Sequence, residues 1–272
     1  MIVPLVPLRG GLVAPQLGLG TWMLEGRACT RAVEAALEIG YRHIDTAEAY
    51  DNEADIAIAI RGVPRDHLFV TSKVWYENLE HDAVLAAARA SIERLGVDWL
   101  DLYLIHWPND DVPLEQTVAA MLELMDEGLI RGWGVSNFTP GRVARASALG
   151  DPATNQVELH PWFAQEPLVR TCRAHGIPVT AYSPLARGRV DKEPLLHEIA
   201  QRRGVTPAQV ALRWATQLGH IVIPKSSNPD RLRENFASFA FDLTDDEMTA
   251  ITSLPQRRRL VDAGWALWND VD

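Results

Sequence analysis

The 272-residue chain has little cysteine, a deficit of basic charge and no long apolar run. Its two cysteines, Cys29 and Cys172, each sit inside a helix-like pattern, where the residue type reads as a small buried side chain and not as half of a disulfide. Two cysteines cannot build a metal centre either. Lys and Arg number 26 against 36 Asp and Glu, a net charge of −10, and no Lys/Arg stripe gathers local positive charge against that background. Such a surface repels a polyphosphate backbone, so nucleic acid is excluded as a partner. The longest uncharged stretch, residues 10–24, is broken by Gly and Pro and falls short of the ~20 apolar residues that cross a bilayer. The first residues place no basic group ahead of their apolar part and carry prolines where a signal peptide forms a helix, so a cytoplasmic protein is expected. Linkers, charge blocks and short repeats are also missing, which makes one domain over residues 1–272 the economical division. Gly18 and Gly20 lack the third glycine of a dinucleotide fingerprint, because Met23 stands in its place.

What is there is a recurring unit: an amphipathic run that stops at a Gly, then a short apolar run closed by a polar residue. That is the pattern of βα units. Gly40, Gly96, Gly128, Gly150, Gly176 and Gly219 stop the helical runs, each where a C′ residue with positive φ is expected. Thr139-Pro140, Thr206-Pro207 and Asn228-Pro229 start others with a capping side chain before a first-turn proline, and Thr244 to Glu247 reads as a capping box. The apolar runs lie at residues 17–21, 43–44, 69–72, 102–105, 132–135, 154–157, 178–181 and 221–223. They read as apolar on both faces, as parallel strands covered by helices are. Eight strand–helix units in this length predict an α/β fold, a closed (β/α)8 TIM barrel, with the Pro/Gly-rich first ~16 residues as a hairpin closing the barrel floor.

In such a barrel the chemistry lies at the carboxyl ends of the strands. Those ends carry Asp45, Lys73, His106, Ser136-Asn137, Gln156, Tyr182 and Lys225. Asp45 and Lys73, on adjacent strands, are placed to pair, with Tyr50 one loop beyond. An ammonium beside a phenol favours the phenolate, so Tyr50 is expected to have a lowered pKa and to act as a proton donor. His106, in an apolar setting, is expected to be neutral and to hydrogen-bond a polar oxygen. Protonating an oxygen is half of a carbonyl reduction. The hydride must come from a cofactor, since no side chain carries one. Ser136, Asn137 and Gln156 suit a carboxamide, and the face of Tyr182 suits a flat ring. Lys225 and Arg231, by a helix beginning at Asn228, suit a phosphate held by charge and helix amides.

These residues in this order resemble the aldo-keto reductase family. The matching segments are Gly18-Leu19-Gly20-Thr21-Trp22, His43-Ile44-Asp45-Thr46-Ala47-Glu48-Ala49-Tyr50-Asp51-Asn52-Glu53, Thr71-Ser72-Lys73-Val74-Trp75, Leu104-Ile105-His106-Trp107-Pro108, Gly134-Val135-Ser136-Asn137-Phe138, Asn155-Gln156-Val157-Glu158 and Ile223-Pro224-Lys225-Ser226. The resemblance implies NADPH or NADP+ bound along the strand ends and a catalytic tetrad of Asp45, Tyr50, Lys73 and His106, with Tyr50 as the acid. It further implies that Ser136, Asn137 and Gln156 hold the nicotinamide amide, with Tyr182 on its ring and Ser183 to Leu185 by the pyrophosphate. Gly20, Thr21, Trp22 and Asp45 belong to the same cofactor wall. Lys225, Ser226 and Arg231 would take the 2′-phosphate, and Glu234 and Asn235 the adenine. Ser227-Asn228 departs from the usual β-branched residue and Thr at that place.

Short connections after the fourth and seventh strands, and a tail with Trp265 and Trp268, are similar to the compact bacterial 2,5-diketo-D-gluconate and methylglyoxal reductases of that family. This implies a shallow site, with Trp22, Trp75 and Trp107 as apolar walls beside Tyr50 and His106, for small polar carbonyls, in a monomer. Two alternatives stand beside it. One is a barrel that binds NADPH without turnover and reports redox state. The other is a metal-dependent hydrolase using His43, Asp45, His106 and His160, although Lys73 would repel a divalent ion and no His-x-His motif occurs. A glycosidase is excluded because Asp45 and Glu48 are too close in sequence to face each other across a sugar. His160, in Glu158-Leu159-His160-Pro161, reads as a structural histidine, and Arg187 and Arg189 as a solvated loop or an attraction for anions.

Overall fold

A computed structural model describes residues 2–256 and 259–268; the outermost residues of the expected 1–272 domain lie outside the described ones. Strands β1 (Leu5–Pro7) and β2 (Val13–Pro15) form an antiparallel hairpin. The next eight are β3 (Leu19–Gly20), β4 (His43–Asp45), β5 (Phe69–Val74), β6 (Leu102–Ile105), β7 (Trp133–Ser136), β8 (Asn155–Glu158), β9 (Val179–Tyr182) and β10 (Ile221–Val222). They are parallel and adjacent in chain order. A parallel bridge between Leu17 and Val222 joins the last to the first, with Gly18 N–H donating to the Val222 carbonyl. The sheet is therefore a closed (β/α)8 barrel, and each expected apolar run is one of its strands.

The helices are α1 (Gly26–Ile39), α2 (Glu53–Ile60), α3 (His81–Leu95), α4 (Leu114–Asp126), α5 (Pro140–Leu149), α6 (Glu166–Ala174), α7 (Pro194–Arg203), α8 (Pro207–Gln217), α9 (Pro229–Phe236) and α10 (Asp245–Thr252). Thr206 and Thr244 form the capping boxes that start α8 and α10, and Asn228 caps α9. Thr139 holds the cap position of α5 without a side-chain cap bond. Five of the six stop glycines adopt positive φ, but Gly150, at φ 173°, is extended, so α5 leaves its last turn toward β8 without a left-handed reversal.

Side chains alternate along a strand with period two, and here the alternation sorts the chain into two cores. Val70, Tyr103, Ile105, Trp133, Val135 and Val157 point outward into a belt packed against the helices. Phe69, Leu102, Leu104 and Ile221 point inward at the lower end and meet Leu8 and Ala14, with Val6 and Leu12, from the hairpin. The hairpin thus plugs the floor. One position shows how tight the fit is: a Cβ on Gly132 would lie 2.4 Å from Leu12 Cδ1. Higher up, the inward residues are polar: His43 Nε2 meets Thr71 Oγ1 at 3.1 Å, and Thr154 Oγ1 meets Thr180 Oγ1 at 2.9 Å. The strands are buried on both faces but not apolar on both, because a closed barrel can pair polar groups across its interior.

Candidate active site

The same alternation carries the inward column upward to Asp45, Lys73, His106, Ser136, Gln156 and Tyr182. Asp45 ends β4 and Ser136 ends β7, while Lys73 lies within β5 and not after it, one residue short of its end. All of these but the fully buried Lys73 line a cavity of about 920 Å3 that runs along the strand ends from Trp22, Trp75 and Trp107 to Lys225, Arg231 and Asn235.

Lys73 has no solvent exposure, and its Nζ donates to Asp45 Oδ1 at 2.6 Å and to the Thr46 carbonyl at 2.7 Å. Burial pulls its pKa down, but Asp45 and Tyr50 more than compensate, so the group sits above the usual lysine value and stays an ammonium. The same Nζ lies 3.5 Å from the Tyr50 hydroxyl, a long contact of the kind that tightens only when a ligand is in place. Tyr50 departs from expectation: its pKa is raised, because burial outweighs the opposing pull of Lys73. It is a phenol at neutral pH, the form that can give up a proton. His106 is pushed well below the ordinary histidine value by burial and then by Lys73, and is neutral. Its ring packs edge-on against Tyr50 and Trp75, with centroids 5.5 and 5.1 Å apart.

The amide-bearing residues are tied into this group. Gln156 Nε2 donates to Asp45 Oδ2 at 2.6 Å, Ser136 Oγ to the Gln156 carbonyl, and Tyr182 Oη to Asn137 Oδ1 at 2.8 Å. Asn137 Nδ2 in turn donates to the His106 carbonyl. At the far end Lys225 and Arg231 line the cavity, and their side chains carry no hydrogen bond or ion pair to any described residue. The helix amides expected beside them are already used, since Asn228 Oδ1 accepts from Asp230 N–H and Arg231 N–H. Charge is what that end offers. Ser226 bonds locally with the Asn228 backbone, Glu234 accepts from Thr206, and Asn235 is buried in the wall. Gly20, Thr21, Ser183 and Leu185 line the groove between the two ends.

Several residues here carried no role in the sequence reading. Asn52, fully buried, accepts from Thr46 and donates to the Thr21 and Leu24 carbonyls, which ties the Trp22 loop to the turn bearing Tyr50. Glu48 accepts from the Trp75 amide and from Asn78, fixing that turn to the neighbouring loop after β5. Glu53 accepts from Ser72 and Arg94. Val261 and Trp265 add a wall from the tail, while Arg187, expected to be solvated or to attract anions, stacks on Trp22 with its guanidinium carbon 5.3 Å from the ring centroid. The metal-ligand grouping does not form. His43 bonds Thr71, Asp45 is taken by Lys73 and Gln156, and His160 by Glu158; among the described residues no three His, Cys, Asp or Glu are gathered for a metal. Burial lifts the Cys29 thiol to about 12 and the Cys172 thiol to about 11, so both are inert at neutral pH. No helix among the described residues is long and apolar enough to cross a membrane.

Comparison with known proteins agrees with this geometry. The model of the aldo/keto reductase family matches residues 16–256. Methylglyoxal reductase DkgB of Escherichia coli O157:H7 is 41% identical over 257 residues, covering 92% of this chain and 96% of the relative. A crystal structure assigned to a 2,5-diketo-D-gluconic acid reductase B superposes with a TM-score of 0.94 at 41% identity, over 100% of this chain and 98% of the other. A Bombyx mori aldo-keto reductase in complex with NADP superposes at 0.90 with 34% identity, over 96% of each. The chain belongs to the aldo/keto reductase family and is an oxidoreductase acting on carbonyl groups.

Proposed function

We propose that the chain reduces small polar aldehydes and ketones, methylglyoxal and 2,5-diketo-D-gluconate among them, to alcohols at the expense of NADPH, with Tyr50 as the proton donor. The observation that carries this is the connected chain Tyr50–Lys73–Asp45, with Tyr50, Asp45 and a neutral His106 lining one cavity and Lys73 buried behind them. The donor set suits the dinucleotide. Two cations without carboxylate partners among the described residues lie at one end for a 2′-phosphate, and Ser136, Asn137, Gln156 and Tyr182 at the other for a carboxamide and its flat ring. When bound, NADPH would supply the hydride that no side chain can.

The protein's own part is polarisation and proton transfer. A carbonyl oxygen that takes hydrogen bonds from Tyr50 and His106 is activated, and as negative charge grows on it Tyr50 hands over its proton. Lys73, held as an ammonium by Asp45, stabilises the phenolate left behind. Trp22, Trp75 and Trp107 form the apolar walls that keep water from the reacting centre. The whole chain acts as one catalytic domain on a diffusible substrate.

The test follows NADPH oxidation by its absorbance with purified protein and methylglyoxal. Turnover that collapses in Tyr50→Phe while NADPH still binds supports the assignment. Turnover retained in that variant removes Tyr50 as the acid, and tight NADPH binding with no turnover on any carbonyl moves the reading to a redox-sensing barrel.

A further inference from the structure

Glu158 is a charged residue with no solvent exposure at the top of β8, and the proposed proton transfer makes no use of it. Its carboxylate accepts three hydrogen bonds: from Leu260 N–H at 2.8 Å, from Val261 N–H at 2.9 Å and from His160 Nε2 at 3.0 Å. Burial alone would raise its pKa, but those donors hold it below the ordinary glutamate value. Two of the three donors belong to a segment about a hundred residues away in sequence.

That segment then crosses the mouth of the barrel. Trp265 stacks on Tyr76 with centroids 4.6 Å apart, and meets Trp75 and Trp107 edge-on at 5.8 and 5.2 Å. Trp268 packs edge-on against Trp107 at 5.2 Å. The tail is therefore fixed at β8 by one buried carboxylate and at the loops after β5 and β6 by aromatic contact. Val261 and Trp265 line the cavity between these two attachments.

Resting on the carbonyl-reduction reading, we propose that Glu158 is a positioning residue for substrate selection: by seating the Leu260 and Val261 amides it holds Trp265 as the outer wall, which grips substrates that carry a ring. A three-carbon carbonyl occupying the space at Tyr50 and His106 does not reach that wall. The chemistry of the seat is specific. Two adjacent amides and an imidazole N–H need an acceptor with two oxygens, and a carboxylate supplies both where a carboxamide supplies one.

The experiment compares wild type, Glu158→Gln, Trp265→Ala and the double variant. Hydrogen exchange of the 259–268 segment is read by mass spectrometry. Kinetics with 4-nitrobenzaldehyde and with methylglyoxal are measured at saturating NADPH. Glu158→Gln is expected to speed tail exchange and to raise KM for the ring substrate about tenfold, the loss of one charge-assisted bond, with methylglyoxal turnover within about twofold. Trp265→Ala, at a half-exposed side chain, should raise the same KM, and the double variant should be no worse than the worse single one. Unchanged tail exchange in Glu158→Gln overturns the proposal, as does an equal loss on both substrates or effects that multiply in the double variant. A wild type that reduces neither aldehyde overturns the carbonyl reading and the selection role with it, while the exchange data still decide whether Glu158 seats the tail.

Discussion

The two mouths of the barrel are built from the same eight strands and put them to opposite use. At the lower mouth the inward side chains are Phe69, Leu102, Leu104 and Ile221, sealed by the hairpin's Leu8 and Ala14. At the upper mouth they are Lys73 and His106, two to four residues further along the chain from Phe69, Leu102 and Leu104, together with Ser136 and Gln156 from β7 and β8, each buried and each engaged with another strand or poised over the cavity. The lower end is held by area removed from water, the upper end by directed hydrogen bonds between groups that are costly to bury unpaired. Stability and chemistry are thereby separable along the strand direction, so a change at one end should leave the other intact.

Substitutions at either mouth test that separation. Tyr50→Phe should lower kcat by a factor of about 100 to 10,000 while the urea unfolding midpoint stays put; a parallel loss of stability would show that the tetrad also holds the fold together. Leu104→Ala, at the floor, should cost about 3 kcal/mol in denaturant unfolding and leave kcat at 25 °C near the wild-type value. Lys225→Ala, at the distal end of the groove, should weaken NADPH binding about tenfold more than NADH binding, measured by fluorescence titration; an equal loss for both would detach Lys225 from the 2′-phosphate. The smallest effect concerns pH. Because Tyr50 is raised and His106 lowered from their usual values, kcat for reduction should be flat from mildly acid to neutral pH and fall only above the ordinary tyrosine range. A decline already near pH 7 would mean that the acid is another group.

The strands, their order and the polar residues at their upper ends were legible because each depends on local pattern: period-two alternation, stop glycines and first-turn prolines. What was not legible depends on balance or on distance. Whether Lys73 or burial governs Tyr50 is a contest between two opposing effects, and only the surrounding atoms set their sizes. Asn52 and Glu53 stood in plain view beside Tyr50, but nothing in their spacing says that they enter the interior and clamp neighbouring strands. Gly150 and Thr139 carried the right residue types for a helix stop and a cap, yet Gly150 is extended and Thr139, though at the cap position of α5, makes no side-chain cap bond. The seat at Glu158 joins residues that only the closed barrel brings together, and no local pattern marks it.

One joint in the sheet differs from the rest. β3 and β10 each span two residues, and a Cβ on Gly20 would lie 2.6 Å from the Ile223 carbonyl, so the ring closes there through bare backbone in close contact. The groove runs across that joint, with Gly20 on one bank and Ile223, Pro224 and Lys225 on the other. A dinucleotide lying in it would act as a keystone across the shortest strands of the ring. The thermal midpoint would then climb with cofactor concentration, so that occupancy of the groove would be read as resistance to heat as well as in turnover.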